Sequence, residues 1–290
     1  MTRPHAWPFK CSAVITDVDG TLVNDEKKLT SRAISAVTEL RASGIVFSII
    51  SSRPPRGVRP LLGPLGITTP IAIFNGGMVA APDLSIITEH LLSPAVAHRA
   101  INMLKAHRVQ VWVFSGQDWL VRDPGAPYVD LEERTVGFPA KIVQDFEAPL
   151  EGVAKIVGVS SDFALLARCE SDTRAALADN ASVARSQPYY LDITHPLANK
   201  GAALSEIAKL LVVPLGEIAT IGDGGNDVAM FKRSGLSIAM GNASPQVQQA
   251  ADFVTDSNRE EGFANAVDRF ILGGRHSSQR AAATRAGGRT

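Results

Sequence analysis

The chain has 290 residues, enough for one large domain or two ordinary ones, and its 45% hydrophobic and 20% charged content is that of a water-soluble globular protein. Basic and acidic residues, 29 of each, cancel to a net charge of +0, so no global basic field marks nucleic acid as a partner. Charged or turn residues interrupt every apolar stretch, which excludes an obvious membrane span, and residues 1–10, broken by Pro4 and Pro8, hold no apolar run long enough for a signal peptide. Cys11 and Cys169 match no metal or redox spacing and read as small buried hydrophobes in a reducing compartment. The expected address is cytoplasmic.

In chain order, the β-branched run Val14, Ile15, Thr16 predicts a buried strand that ends abruptly in Asp17–Val18–Asp19–Gly20. Thr30 caps a helix whose apolar residues Ile34, Val37 and Leu40 share a face, and Gly44 stops it. A second strand, 45–50, ends in Ser51–Ser52–Arg53, a short helix follows around 57–62, and a third strand, 71–74, ends in Asn75–Gly76–Gly77. Strands alternating with helices imply βαβ units and a parallel sheet. The pattern then changes. A hairpin around Pro82–Asp83, a helix capped by Ser93, a second hairpin across 110–122, a strand at 155–160, a helix over 163–177 and a strand pair at 183–193 read as an α+β module. Residues 123–139 are rich in turn formers and resist assignment. The βαβ rhythm resumes with a helix over 200–211 and a strand, 218–221, ending in Gly222–Asp223–Gly224–Gly225–Asn226–Asp227. A helix through Phe231, a strand at 236–240, a helix around 245–251 and a last helix over 260–272 complete it. Residues 273–290, Arg-rich and without apolar periodicity, read as a disordered tail.

The fold expected is therefore α/β: a Rossmann-like parallel-sheet core, residues 11–81 and 191–272, interrupted by an α+β module at 82–190. Ligands of open parallel sheets bind beyond the carboxyl ends of the strands, where the acids and hydroxyls collect here. Alternation on an extended chain points Asp17 and Asp19 the same way, and Gly20 permits an immediate turn. Two such carboxylates repel each other unless a divalent cation or a shared proton intervenes. An EF-hand calcium loop also begins Asp-x-Asp-Gly, but Leu22 and Val23 stand where its further ligands should be. A solvated turn is the plain alternative, and the downstream partners weigh against it. Lys200 follows Asn199 and opens a helix, where its charge can neutralise a phosphate or fix a carboxylate nucleophile. Asp223 can ligate a metal and Asp227 can orient Lys200 from behind.

Together, Asp-Val-Asp-Gly-Thr, a hydroxyl before an arginine, Asn-Lys-Gly and Gly-Asp-Gly-Gly-Asn-Asp resemble the haloacid dehalogenase (HAD) superfamily of phosphohydrolases. The Asn75–Gly76–Gly77 strand end and the long insert resemble its Cof-type branch with a type IIB cap. The resemblance implies Asp17 as nucleophile, an aspartyl-phosphate intermediate and Asp19 as proton donor and acceptor. It implies Mg2+ held by Asp17, the Asp19 carbonyl and Asp223, with Lys200 balancing phosphate charge. It assigns substrate or phosphate contacts to Ser51, Ser52, Arg53, Asn75, Gly76 and Asn226, and a small phosphorylated metabolite, sugar-phosphate-like, as substrate. Ser51–Ser52–Arg53 departs from the usual Thr-Gly-Arg, and Asp192 stands where Glu is more usual. A phosphotransferase or phosphomutase, or a non-catalytic metal-binding module, are the competing functions. No nucleic acid, no membrane and a monomer or homodimer are expected. Trp112, Trp119, Tyr128, Tyr189 and His195 could stack on or bond a ligand, but most read as core of the insert.

Overall fold

The computed structural model describes residues 9–146 and 150–273. Residues 1–8, within the stretch read as lacking a signal peptide, and residues 274–290 of the tail read as disordered lie outside the described residues.

Strand β1 (Ala13–Thr16) is buried at every position, as a central parallel strand must be. Helix α1 (Ser31–Ala42) starts where the Thr30 hydroxyl accepts the Ala33 amide at 3.1 Å, and the chain leaves it through Gly44 at φ 72°. There follow β2 (Val46–Ile49), α2 (Pro55–Leu62), β3 (Ile71–Ile73), β4 (Met78–Ala80) and β5 (Ile86–Glu89). Ser93 caps α3 (Pro94–Ala106), and β6 (Gln110–Ser115) and β7 (Asp118–Val121) form the expected hairpin. Helix α4 (Val129–Val136) lies in the stretch, residues 123–139, that resisted assignment, and β8 (Lys141–Ile142), which the sequence reading did not anticipate, follows just beyond it. After β9 (Val153–Val159), Asp162 caps α5 (Phe163–Leu177) by accepting the Leu165 amide at 2.8 Å. The chain continues through β10 (Ser182–Gln187), β11 (Tyr190–Thr194), α6 (Lys200–Leu211), β12 (Ile218–Gly222), α7 (Val228–Phe231), β13 (Leu236–Ala239), α8 (Pro245–Gln249), β14 (Phe253–Val254) and α9 (Gly262–Ala266). A π turn, Val267–Leu272, extends α9, so the expected single helix over 260–272 is two segments. No helix among the described residues is long and apolar enough to cross a membrane.

The chain forms two compact units. The first comprises the described residues through Ile49, Pro64–Thr69, and those from Ala208 onward. Its five-stranded sheet runs β14-β13-β12-β1-β2, and every neighbouring pair is parallel. Thr16 sits opposite Ile49 of β2 on one side and Ile221 of β12 on the other. The chain passes from β1 to β2 on one side and returns to β12 on the other, so the end of β1 is the switch point where ligands bind in open α/β sheets. Phe47 of β2 and Phe263 of α9 meet edge to face, 6.1 Å between centroids.

The second unit comprises Ile50–Gly63 and Pro70–Ile207, so residues 70–81 and 191–207 group with the insert. Its six-stranded sheet runs β10-β11-β9-β6-β7-β8, antiparallel except for β7 with β8. One face carries Val111, Val113, Ile156, Leu191 and Ile193, buried with Leu104 of α3 and Leu166 of α5. By alternation the other face carries Trp112, Phe114, Lys155, Tyr190 and Asp192. Strand β3 corrects the sequence reading. It joins the parallel pattern through a single bridge, Ile50 with Ala72, and otherwise pairs antiparallel with β4 in a separate three-stranded sheet, β3-β4-β5. Three residues leave room for little more.

Candidate active site

Two clusters hold the residues singled out above, one in each unit. In the first unit, the Asp17 amide donates to the Ile221 carbonyl at 2.9 Å, extending the β1–β12 ladder one residue past β1 and fixing where the side chain starts. Asp17 is almost wholly buried, at 6% exposure. The carboxylates of Asp17, Asp223 and Asp227 converge, each offering an oxygen within 4.8 Å of the others. Three anions at that spacing repel strongly unless a cation sits among them, and their hard oxygen donors suit one. Glycines make the convergence possible. A Cβ on Gly20, at φ 82°, would lie 2.3 Å from the Asp223 Oδ2, and one on Gly222 would lie 2.4 Å from the Asp227 Cγ.

Hydrogen bonds orient these acids. The Thr21 hydroxyl donates to Asp223 Oδ1 at 2.7 Å. Asp227, fully buried, accepts the amides of Asp223 and Gly224 on Oδ2 at 2.9 and 2.8 Å, so it holds the loop after β12 in shape. Asp19 stands apart: its carboxylate is not among the three converging acids and pairs with Lys27 at 3.0 Å. Lys27 takes φ 63° in a loop closed by its own amide donating to the Asn24 carbonyl at 2.9 Å. Asn226 is exposed, and its Oδ1 fills the space that a Cβ on Gly224 would need.

In the second unit, Ser51, Ser52, Arg53, Asn75, Gly76 and Lys200 belong to one interlocked set of turns. The Ser51 carbonyl accepts the Asn75 amide at 2.8 Å, and the Ser51 hydroxyl accepts the Arg53 amide at 3.1 Å. The Arg53 carbonyl accepts the Phe74 amide at 3.1 Å while its guanidinium donates to the Gly57 carbonyl at 3.1 Å, tying it to the first turn of α2. Ser52 fills the position where glycine is usual without a left-handed backbone, so the substitution carries no strain there. Gly76, at φ 94°, lies so close to the start of α6 that a Cβ would come within 2.9 Å of the Asn199 carbonyl. Asn199 caps that helix by accepting the Ala202 amide at 2.8 Å, and Lys200, its first residue, is buried at 1% exposure. Trp112 and Trp119 are fully buried, in keeping with a core role. Tyr128 stacks on Tyr189 at 4.2 Å, and burial pushes the Tyr189 and Tyr190 phenols up, so both stay protonated. Both cysteines are buried and unpaired by disulfide, and burial raises the Cys169 thiol.

Lys27 and Asn242 of the first unit escaped the sequence reading, and Thr21, though it closes the Asp-Val-Asp-Gly-Thr motif, was given no role by it. The Asn242 amide donates to the Gly20 carbonyl at 2.9 Å. A hydroxyl, a loop lysine and an amide carry no signature alone. Asn242, however, follows the end of parallel strand β13, at the sheet edge that bears Asp17 and Asp223, and that position is a usable signal.

The model of the haloacid dehalogenase-like hydrolase family matches residues 14–267. A 5-amino-6-(5-phospho-D-ribitylamino)uracil phosphatase of Bacillus subtilis, YwtE, is 26% identical over 291 residues, 91% of this chain and 99% of that one. The crystal structure of a haloacid dehalogenase-like hydrolase from Bacteroides thetaiotaomicron is 29% identical with TM-score 0.82, covering 90% of this chain and all, 100%, of its own. The HAD subclass IIB sugar phosphatase BT4131, 22% identical, shares the fold with TM-score 0.78 over 89% of this chain and 98% of its own. The chain belongs to the haloacid dehalogenase-like hydrolases, and it is an enzyme of their phosphatase kind, a hydrolase of phosphoric monoesters.

Proposed function

We propose that the protein is a Mg2+-dependent phosphatase of small phosphorylated metabolites that works through a phosphoryl group carried on Asp17. The observation that carries this is the convergence of Asp17, Asp223 and Asp227 at the switch point of a parallel sheet. Asp17 and Asp223, with the Asp19 carbonyl, would hold Mg2+, which when bound offsets the charge of the phosphoryl oxygens and lets an anionic nucleophile approach them. Asp227 shapes the loop that presents Asp223.

In the first step an Asp17 carboxylate oxygen attacks phosphorus in line, the bond to the leaving oxygen breaks, and Asp19 gives that oxygen its proton. In the second, Asp19 takes a proton from water, the water oxygen attacks phosphorus, and the bond to Asp17 breaks to release phosphate. Ser51 would hydrogen-bond the phosphoryl group, and Lys200 would balance its charge. Ser52, Arg53, Asn75, Gly76 and Asn226 would contribute further contacts to phosphate or substrate. The leaving group would be read by residues 82–190, the segment expected to act as a cap, and by neighbours on the same sheet face such as Asp192. Relatives named for a phosphorylated ribitylaminouracil and for sugar phosphates support compact metabolites as the substrate class.

A screen of phosphorylated metabolites with purified protein tests the proposal. Released phosphate is expected for a subset with Mg2+ present, no release in EDTA, and poor replacement of Mg2+ by Ca2+, which relaxes octahedral geometry. Full activity in EDTA contradicts the metal reading. An isomerised sugar phosphate without free phosphate would point instead to a mutase on the same fold.

A further inference from the structure

Asn242 makes three hydrogen bonds with one side-chain amide. Its Nδ2 donates to the Gly20 carbonyl at 2.9 Å and to Asp223 Oδ2 at 3.3 Å, and its Oδ1 accepts the Asn258 backbone amide at 3.0 Å. The reverse orientation would set Oδ1 against two acceptors and NH2 against a donor, so the network admits one orientation. Asp223 is thereby gripped on both oxygens by neutral donors, Thr21 on Oδ1 and Asn242 on Oδ2. Gly20 supplies the carbonyl next along the chain from that of Asp19. Asn242 therefore links the loop after β1 to the loop after β12 and anchors both to the segment at Asn258. Asn258 in turn donates through Nδ2 to the Val23 carbonyl at 3.3 Å and to Asp25 at 3.1 Å.

We infer that Asn242 is a positioning residue for the cation: it holds Asp223 and the Gly20 peptide in the geometry that cation binding requires. The inference rests on the cation site of the proposed function. Like charges on Asp17, Asp223 and Asp227 push the three carboxylates apart, and a donor that fixes Asp223 removes the need to order it when the cation enters. Partners behind metal ligands typically cost roughly 10–100-fold in metal affinity when removed.

The test is a titration of Mn2+, a hard octahedral probe, followed by electron paramagnetic resonance in the wild type, Asn242→Ala, Asn242→Gln and Asn265→Ala. Asn265 is the control. Its amide braces the same neighbourhood, but by donating to Asp256 at 2.7 Å and the Glu260 carbonyl at 3.0 Å rather than to the acid cluster. Asn242→Ala is expected to weaken Mn2+ binding by roughly tenfold. The Mg2+ concentration for half-maximal activity should rise by the same factor, with kcat at saturating Mg2+ largely kept. Asn242→Gln, which retains the donor on a longer arm, should fall between, and Asn265→Ala should bind as the wild type does. Wild-type affinity in Asn242→Ala, or equal weakening in Asn242→Ala and Asn265→Ala, overturns the inference. A wild-type protein that binds no Mn2+ overturns the cation site itself, a distinct result.

Discussion

At the scale of single residues the site is built as much from what is missing as from what is present. Gly20 lacks the Cβ that would strike Asp223, and it holds a left-handed backbone that other residues adopt at a cost of about 1–2 kcal/mol. Gly44 has a similar φ of 72° but open space around it. Gly20→Ala and Gly44→Ala should therefore lose comparable stability from backbone strain, with a further loss in Gly20→Ala, while activity should collapse in Gly20→Ala alone. Melting curves and phosphate release on both variants check this, and equal activities would show that the close approach of Asp223 is unimportant. Asp17→Asn should reduce turnover by at least about 10⁴-fold with the fold intact, because the amide cannot serve as the nucleophile. Turnover above that floor by a folded Asp17→Asn protein shown free of deamidation would end that assignment. The acids were legible in the sequence because carboxylates at strand ends are chemically conspicuous. The role of Thr21 within its motif, and Asn242 altogether, were not, because their importance lies in which atoms they touch.

Among the elements, boundaries written in side-chain chemistry were the readable ones. Thr30, Ser93 and Asp162 each cap a helix through their own side chain, and all three starts were legible. Helix α4 was not, because its first cap is Tyr128 in a left-handed conformation with no side-chain bond, amid Pro124, Gly125 and Pro127. Strand β3 looked parallel because an apolar run has the same appearance in either kind of sheet. The turn between β11 and α6 sets a pH dependence. There His195 stacks on His90 at 5.4 Å, and its Nδ1 accepts the Leu197 amide at 3.1 Å. Burial, and secondarily the His90 charge, hold His195 below the ordinary imidazole range. A depressed folded-state value means the unfolded chain binds more protons, so this contribution to stability is full above about pH 6.5 and is lost as pH falls through the folded value. His195→Asn offers Leu197 an acceptor that does not titrate. The wild type should lose more Tm than this variant between neutral pH and mildly acidic pH, and parallel losses would remove His195 from the account.

For the molecule as a whole, one chain supplies the converging acids from its first unit and the interlocked Ser51, Asn75 and Lys200 turns from its second. The parallel sheet and the separate α+β sheet were legible because periodicity changes from one to the other. The grouping of residues 70–81 and 191–207 was not, because packing between segments far apart in sequence leaves no local pattern. In the proposed mechanism Asp17 carries the phosphoryl group and Asp19 serves both steps. An activated aryl phosphate needs little protonation of its leaving group, so Asp19→Asn should still undergo the first step with it but stall before the second. The measurement is rapid mixing of Asp19→Asn with p-nitrophenyl phosphate and Mg2+, followed by borohydride reduction and peptide mass analysis. A stoichiometric burst of nitrophenolate, with Asp17 recovered as homoserine, is the predicted result. Steady turnover without a burst, or a phosphorylated residue other than Asp17, would contradict the account.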